Sequence, residues 1–284
     1  MAEAGLKVIK AGRLIDGTGA LPVENATVVI ENAKIKAVGQ DIEIPTEAQV
    51  IDATGKTVMP GMIDAHMHFW GTKADDTYGE EISRLREVRL IKALLDAKDY
   101  LKAGFTTVKD CGGMNGVFLK QAAKEGFLTG VPRIVASGYP LTNTIGNPYP
   151  YMPIEYIDAR TSQHLGQQGG QALICDGVDE CIKATRYVLR QGADFVKIWS
   201  RGGSEFNPDE LKAIVQTSGE VNKYVTIHCD ISPNKLSNRY VSEDEKDGAL
   251  PIDKLGWFFL KLSGAEVSIG STVKDFYLTF SLSI

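Results

Sequence analysis

From residue 58 onward, short apolar runs alternate with longer segments of helical character, and this alternation restricts the fold more than any other feature. Five of the apolar runs are predicted to be strands. They cover residues 58–66, 106–111, 133–137, 194–199 and 224–229. Strands that alternate with helices pair in parallel through right-handed crossovers, and near-continuous apolar runs are typical of such buried strands. The pattern predicts an α/β fold, either a (β/α) barrel or an open doubly wound sheet.

Glycines and helix-starting residues mark where the intervening helices begin and end. Three helices are predicted at about 80–102, from Asn115 to near Gly126, and 178–191. A left-handed glycine commonly follows the last turn of a helix, and Gly104 and Gly192 stand in that position. Asp176 is predicted to be the N-cap of the third helix, after a loop at 140–175. The run Asn-Pro-Asp-Glu at 207–210 predicts the start of another helix.

The two ends of the chain differ from this central region. Residues 1–57 contain short β-rich runs separated by turn residues, which predicts a small antiparallel β unit without candidate chemistry. Residues 230–284 show no clean repeat of the strand–helix pattern. We therefore expect an N-terminal β unit at 1–57, an α/β region at 58–229 and a divergent C-terminal tail at 230–284.

Polar residues with metal-binding or catalytic chemistry fall at or near the ends of the predicted strands. These residues are His66, His68, Asp110, Lys197 and His228. The C-terminal ends of barrel strands converge on one face, where the active sites of such folds are built. This clustering favours the barrel over the open sheet.

The first predicted strand ends in the run Gly-Met-Ile-Asp-Ala-His-Met-His at residues 61–68. Side chains two residues apart on a strand point to the same face, so His66 and His68 would project together. Such a pair of imidazoles could hold one metal ion. The alternative is that one histidine is a core residue and the other a surface residue.

Lys197 and His228 lie within or at the end of later apolar strands. A buried lysine is costly unless it is paired or neutral, and a neutral amine can react. Taken alone, Lys197 is equally compatible with a lysine that pairs with a carboxylate or reaches solvent. His228, taken alone, is compatible with a hydrogen-bonded core histidine.

Composition and charge exclude several other classes of protein. The net charge of −5 gives no sign of a nucleic-acid groove or of binding to an anionic membrane. No apolar run is long enough for a membrane span, and the N-terminus lacks a secretory signal pattern. The four cysteines are more typical of reduced thiols than of a disulfide framework. We expect a cytoplasmic protein.

The order of these residues resembles the amidohydrolase superfamily over about residues 6–229. The run at 61–68 is similar to its opening His-x-His motif, and the segments 103–113 and 191–203 resemble the second- and fourth-strand segments of the imidazolonepropionase and Xaa-Pro dipeptidase-like branch. The resemblance implies a small N-terminal β-sandwich followed by a metal-dependent (β/α)₈ TIM-type barrel, of which about five strands are present here.

The resemblance also implies roles for individual residues. His66, His68, Lys197 and His228 match metal-ligand positions, with Lys197 carboxylated by CO₂ so that its carbamate bridges two divalent cations. Zn²⁺ suits histidine and oxygen ligands, although Mn²⁺ or Fe²⁺ would also fit. His164 lies in a segment that contacts substrate in related proteins, and is otherwise an exposed loop residue. Asp110 would support the ligands from behind, unless it serves only a structural hydrogen bond.

The sequence departs from this family after its fifth predicted barrel strand. No histidine follows His228, so the strand-six ligand of the family has no counterpart, and no later aspartate can be assigned as the strand-eight proton shuttle. No catalytic residue is therefore assigned. Five strands also leave an open edge. Three hypotheses remain: a truncated hydrolase of low activity, a reduced fold that still works, or a non-catalytic binding scaffold.

The resemblance indicates hydrolysis of an amide-type C–N bond in a small molecule. Candidate substrates are cyclic amides, dipeptides and N-acyl amino acids, whereas an ordinary protein peptide bond is not expected. The expected partner is thus a small-molecule substrate, with no nucleic acid and no membrane, and a homo-oligomer is left open.

Overall fold

The structure is a computed structural model. It describes residues 5–72, 79–80, 83–146, 154–158, 172–200 and 206–229, and the backbone of 270–272, 275–277 and 280–282. The chain divides into two compact units, residues 1–62 and 63–284. Within the described ranges, no helix has the length and apolar character needed to cross a membrane.

The first unit contains a four-stranded sheet in the order β3-β2-β1-β4. Its strands are β1 Leu6–Leu14, β2 Val23–Glu31, β3 Lys34–Gly39 and β4 Gln49–Val58. Strands β1 to β3 pair antiparallel, as predicted, but β4 pairs parallel with β1, so the sheet is mixed rather than antiparallel. The described residues of this unit form a single sheet, and the second layer of the expected β-sandwich is not among them.

The second unit alternates strands and helices as predicted. Its first elements are β5 Met62–Met67, α1 Arg86–Lys102, β6 Phe105–Asp110, α2 Asn115–Lys124, β7 Arg133–Ala136, β8 Leu141–Thr142 and α3 Ile154–Ile157. There follow β9 Leu173–Ile174, α4 Val178–Arg190, β10 Val196–Ser200, α5 Pro208–Gly219 and β11 Val225–Cys229. The last strands are β12 Gly270–Thr272, β13 Asp275–Tyr277 and β14 Phe280–Leu282.

Two sheets carry the main strands of this unit, in the orders β5-β6-β7 and β9-β8-β10-β11-β14. The pairs β6–β7, β8–β9, β8–β10 and β10–β11 are parallel. Asp194 joins the two sheets: its N–H donates to the Ala136 carbonyl at 2.7 Å, and its carboxylate accepts from the Ala136 N–H at 2.9 Å. The described fold is therefore α/β with parallel sheets.

The edge of β11, which we expected to be open, is paired in this structure. Strand β14 runs antiparallel to β11, with Thr226 opposite Ser281 and Ile227 opposite Phe280. The C-terminal tail thus supplies backbone hydrogen-bonding groups to an edge that would otherwise face solvent. The sequence alone indicated only that this segment is apolar and β-prone.

Alternate residues of the parallel strands face the helices and form the core. Val108, Val196, Ile198 and Val225 belong to one buried cluster that also receives side chains from α1, α2 and α4. The residues between them, such as Lys197, project to the opposite side of the sheet. This alternation separates an apolar layer under the helices from a polar layer that carries the candidate chemistry.

Several element boundaries differ from the sequence-based expectation. The strand predicted at 58–66 is divided, because β4 ends at Val58 and β5 begins at Met62. The loop predicted at 140–175 contains β8, α3 and β9. Gly177, not Asp176, is the N-cap of α4, with a φ of 78°. Asp176 instead accepts hydrogen bonds from the backbone and hydroxyl of Thr144, which occupies its carboxylate.

Glu210 ties the starts of α4 and α5 together and gives a first testable prediction. Its carboxylate accepts from the Asn207 N–H at 2.7 Å in a capping box and from the Gly177 N–H at 2.6 Å. Glu210→Ala removes both charge-assisted acceptors and is expected to lower the free energy of unfolding by about 2 kcal/mol. Asp209→Ala, which removes an exposed carboxylate one residue earlier, is the matched control. Equal urea midpoints for the two variants would contradict the role of Glu210.

Candidate functional site

His66 and His68 lie together at the C-terminal end of β5. The neighbouring side chains Met67 and Phe69 are buried in the core cluster beneath the helices, so the two imidazoles project to the other face. Their ring centroids are 5.4 Å apart, in an edge-to-face arrangement. The geometry expected from the sequence, two imidazoles side by side on one strand, is present.

The turn after β6 holds this strand end in place. The Cys111 N–H donates to the Met67 carbonyl at 2.9 Å, and the Asn115 side-chain amide donates to the Phe69 carbonyl at 2.8 Å. The His68 ring also packs against the Trp70 ring, with centroids 4.5 Å apart. Hydrogen bonds to the backbone carbonyls on both sides of His68 therefore limit the motion of its imidazole.

Asp110 lies directly behind this strand end and is fully buried. Its Oδ1 accepts from the Gly112 N–H at 3.2 Å and from the Phe69 N–H at 3.5 Å, while Oδ2 faces the backbone of Gly116. Burial raises the pKa of this carboxyl to about 8, although nearby backbone N–H groups oppose that shift. The contacts place Asp110 in a supporting position, as the sequence suggested; its functional role stays a prediction.

The buried carboxyl predicts a specific dependence of stability on pH. The pKa of Asp110 is about 8 in the folded chain and about 3.9 in an unfolded one. Between these values the folded state binds more protons, so its stability falls as the pH rises from about 4 to about 8. Asp110→Asn removes the titration and is expected to reduce this fall, whereas Asp99→Asn, at an exposed carboxylate, should not.

The measurement is urea unfolding of metal-free protein at pH 5.5 and pH 8. The quantity to compare is the difference in the free energy of unfolding between the two pH values. If wild type and Asp110→Asn show the same difference, Asp110 does not carry a raised pKa in the folded chain.

Lys197 is buried in β10, with no exposed side-chain surface. Within the described part of the chain, its Nζ has no hydrogen-bond partner. Burial lowers the pKa of this amine to about 8; the Cys111 thiol opposes the shift and the Lys109 cation adds to it. The described residues therefore do not show the alternative, in which Lys197 pairs with a carboxylate or reaches solvent.

Lys109, on β6, is a charged residue that interacts with Lys197 and that the sequence did not single out. Its Nζ donates to the Thr226 hydroxyl at 3.1 Å and lies 4.6 Å from the centroid of the Phe195 ring. Thr226 is the register partner of Lys197 on the adjacent strand. Its signal in the sequence is weaker than that of Lys197, because β6 reads Phe-Thr-Thr-Val-Lys-Asp and contains other polar residues.

The remaining predicted residues are described only in part or not at all. Strand β11 carries His228 beside Trp199 in register, but only the backbone of His228 is described. His164 lies outside the described residues. Trp70, which contacts His68, packs against a small apolar cluster that includes Trp199, two residues beyond Lys197. This cluster connects the end of β5 with the end of β10.

The described side chains provide only part of a ligand set for the divalent metal expected from the sequence. Among the described side chains there is no group of three or more His, Cys, Asp and Glu residues suited to a metal ion. The adjacent imidazoles supply two nitrogen donors, and the buried Nζ of Lys197 has an unused hydrogen-bonding position. An unmodified lysine is a poor partner for a cation, but its carbamate offers anionic oxygens. The donors therefore fit a metal only with Lys197 modified or with ligands beyond those described.

Comparison with known proteins places the chain in a family. A model of the amidohydrolase family matches residues 57–249. Ochratoxinase from Aspergillus niger is 31% identical over 258 residues, an alignment that covers 80% of this chain and 50% of that protein. This chain therefore spans half the length of that curated relative.

Solved structures agree with this assignment. A prolidase complexed with N-methylphosphonate-L-proline superimposes with a TM-score of 0.68 at 29% identity, covering 82% of this chain and 58% of the other. A Xaa-Pro dipeptidase with bound methionine gives a TM-score of 0.68 at 26% identity, with coverages of 84% and 60%. Because the family model spans more than half of its residues, this chain belongs to the amidohydrolase family.

Proposed function

We propose that the chain carries the first part of the active site of a metal-dependent hydrolase that cleaves a C–N bond in a small molecule. The observation that supports this most strongly is the pair of imidazoles at the end of β5, together with a fully buried lysine on β10 of the other sheet. In this proposal, β5, β6, β7 with β8, β10 and β11 correspond to five successive strands of a TIM-type barrel.

His66 and His68 would bind one divalent cation, and His228 would belong to a second position. Lys197 would lie between the two positions. We expect Zn²⁺, because histidine and oxygen donors are its usual ligands. A bound divalent cation lowers the pKa of water and polarises a carbonyl oxygen, which is the chemistry that amide hydrolysis requires.

Lys197 takes part in this proposal as a carbamate formed with CO₂. Only a neutral amine reacts with CO₂, and burial lowers the pKa of Lys197 to about 8, so a substantial fraction is neutral near that pH. The modification would replace a buried amine that lacks a described partner with an anionic oxygen ligand. As a carbamate, Lys197 would offer anionic oxygen atoms that suit two cations.

Two further residues hold the ligands in position. Asp110 accepts from the Phe69 N–H, and Asn115 donates to the Phe69 carbonyl, so both fix the backbone next to His68. Ligand orientation of this kind is commonly worth about 10- to 100-fold in metal affinity or activity. His164, outside the described residues, is proposed to contact substrate.

The names of the relatives suggest the substrate class. Related proteins include an ochratoxinase and a prolidase, which supports an amide-type C–N bond in a small molecule as the target. The alignment covers 50% of that ochratoxinase, so its substrate is not carried over to this chain. We propose the reaction class and leave the individual substrate open.

A non-catalytic scaffold is the competing proposal, favoured because the described side chains form no group of three or more His, Cys, Asp and Glu residues suited to a metal ion. The test is metal analysis of protein purified in buffer with zinc and bicarbonate, together with hydrolysis assays on dipeptides and N-acyl amino acids. Bound zinc with measurable hydrolysis supports the enzyme. A folded protein that binds no zinc would contradict the enzyme proposal and leave the scaffold proposal.

A further inference from the structure

A second lysine, Lys109 on β6, contacts Thr226, the strand partner of Lys197, and has no role in the proposed function. Its ammonium lies above two stacked rings, 4.6 Å from the centroid of Phe195 and 5.2 Å from that of Tyr224. The two rings are parallel, with centroids 5.1 Å apart. Burial lowers the pKa of Lys109, and the aromatic faces, which attract cations, oppose that effect of burial.

Lys109 is directed toward the position of Lys197 by the strand register. Its Nζ donates to the Thr226 hydroxyl at 3.1 Å, and Thr226 is paired with Lys197 across β11 and β10. Phe195 and Tyr224 come two residues before Lys197 and Thr226, immediately ahead of β10 and β11, so extended backbone directs them to the same side. The ammonium of Lys109 is thus held between the aromatic platform and the hydroxyl that neighbours Lys197.

We infer that Lys109 is a positioning residue that stabilises the CO₂-modified, anionic form of Lys197 through its positive charge. This inference rests on the proposed function, because it assumes that Lys197 becomes a carbamate. In that step the Lys197 nitrogen forms a bond to the carbon of CO₂ and releases one proton to solvent, which leaves a carboxylate. The product is an anion beside the Lys109 cation, where the reacting amine carried no charge.

Burial makes the electrostatic interaction between Lys109 and the modified Lys197 strong. Lys197 and Thr226 are fully buried, and a charge interaction in such an environment is screened far less than at the surface. We expect that replacing the Lys109 cation with a neutral side chain raises the bicarbonate concentration needed for half-modification by about tenfold or more. Metal binding should weaken in parallel, because the carbamate is the proposed ligand.

The test is ¹³C NMR of the carbamate carbon during titration with ¹³C-labelled bicarbonate, with and without zinc. Lys109→Met removes the charge and keeps the length of the side chain, whereas Lys109→Arg keeps the charge and should stay close to wild type. Lys102→Met removes an exposed lysine at the end of α1 and should not alter the titration. Thermal unfolding of each variant checks that the fold is retained.

Thr226→Val provides a second route if Lys109→Met fails to fold. It removes only the hydroxyl that accepts from Lys109 and should raise the bicarbonate requirement in the same direction. A carbamate signal in wild type that is unchanged in the folded Lys109→Met or Thr226→Val variant would overturn the role of Lys109 alone. No carbamate signal in wild type, even with zinc and saturating bicarbonate, would overturn the proposed function at Lys197 and this inference with it.

Discussion

Replacing His66 and His68 together with asparagine is expected to abolish stoichiometric zinc binding. Both imidazoles are nitrogen donors on one strand end, with ring centroids 5.4 Å apart. Loss of outer partners alone costs about 10- to 100-fold in metal affinity, so loss of the ligands should cost at least about 100-fold. The measurement is zinc content by mass spectrometry after equilibration with a competing chelator.

The matched control is His164→Asn, which removes a histidine that we assign to substrate contact. Its zinc content should equal that of wild type, while hydrolysis of any substrate found should fall. Undiminished zinc in the double variant would place the metal elsewhere in the chain. Both proteins should show the same circular dichroism, because His66 and His68 contribute nothing to the apolar layer beneath the helices.

Replacing Gly71 with alanine is expected to produce the largest loss of stability among single small substitutions in this region. Gly71 has a φ of 70°, and a Cβ built there would lie only 1.9 Å from the carbonyl oxygen of Arg89. Backbone of α1 cannot move away without disturbing its own hydrogen bonds. We expect a loss of about 3 kcal/mol or more in the free energy of unfolding, since overpacking and backbone strain act together.

Gly126→Ala separates these two causes. Gly126 also has a positive φ, 81°, but a Cβ there would meet no atom within 4 Å. This control should therefore lose only the conformational cost of about 1 kcal/mol. Urea unfolding of both variants gives the comparison. If Gly71→Ala loses no more than Gly126→Ala, the contact with Arg89 is not tight in solution.

The repeating part of the fold was predictable because local and global signals agree there. Continuous apolar runs predicted the parallel strands, and the run at 207–210 predicted the start of α5, where Asn207 and Glu210 form a capping box. The parallel pairing of β4 was not predictable, because β4 is mostly exposed and carries little apolar pattern. Pairing of β14 with β11 joins residues more than fifty positions apart, which no local pattern encodes.

The candidate site was predictable where two residues share a strand and less so where they do not. Period-two alternation on β5 sufficed to place His66 beside His68. The environment of Lys197 depends on residues from other strands, and these become neighbours only when the sheet forms. Lys109 was missed for that reason, since its partners Thr226 and Phe195 lie far along the chain.

Asp194 has a further consequence for how this unit opens. Its backbone and carboxylate both bind Ala136, and the carboxylate also accepts from the Lys120 ammonium at 2.7 Å. One side chain therefore connects the middle of α2, the last residue of β7 and the approach to β10. Native-state hydrogen exchange of the Ala136 amide should then report the joint opening of these three elements rather than the fraying of one strand. The parallel strands on either side of this junction would act as one cooperative folding unit.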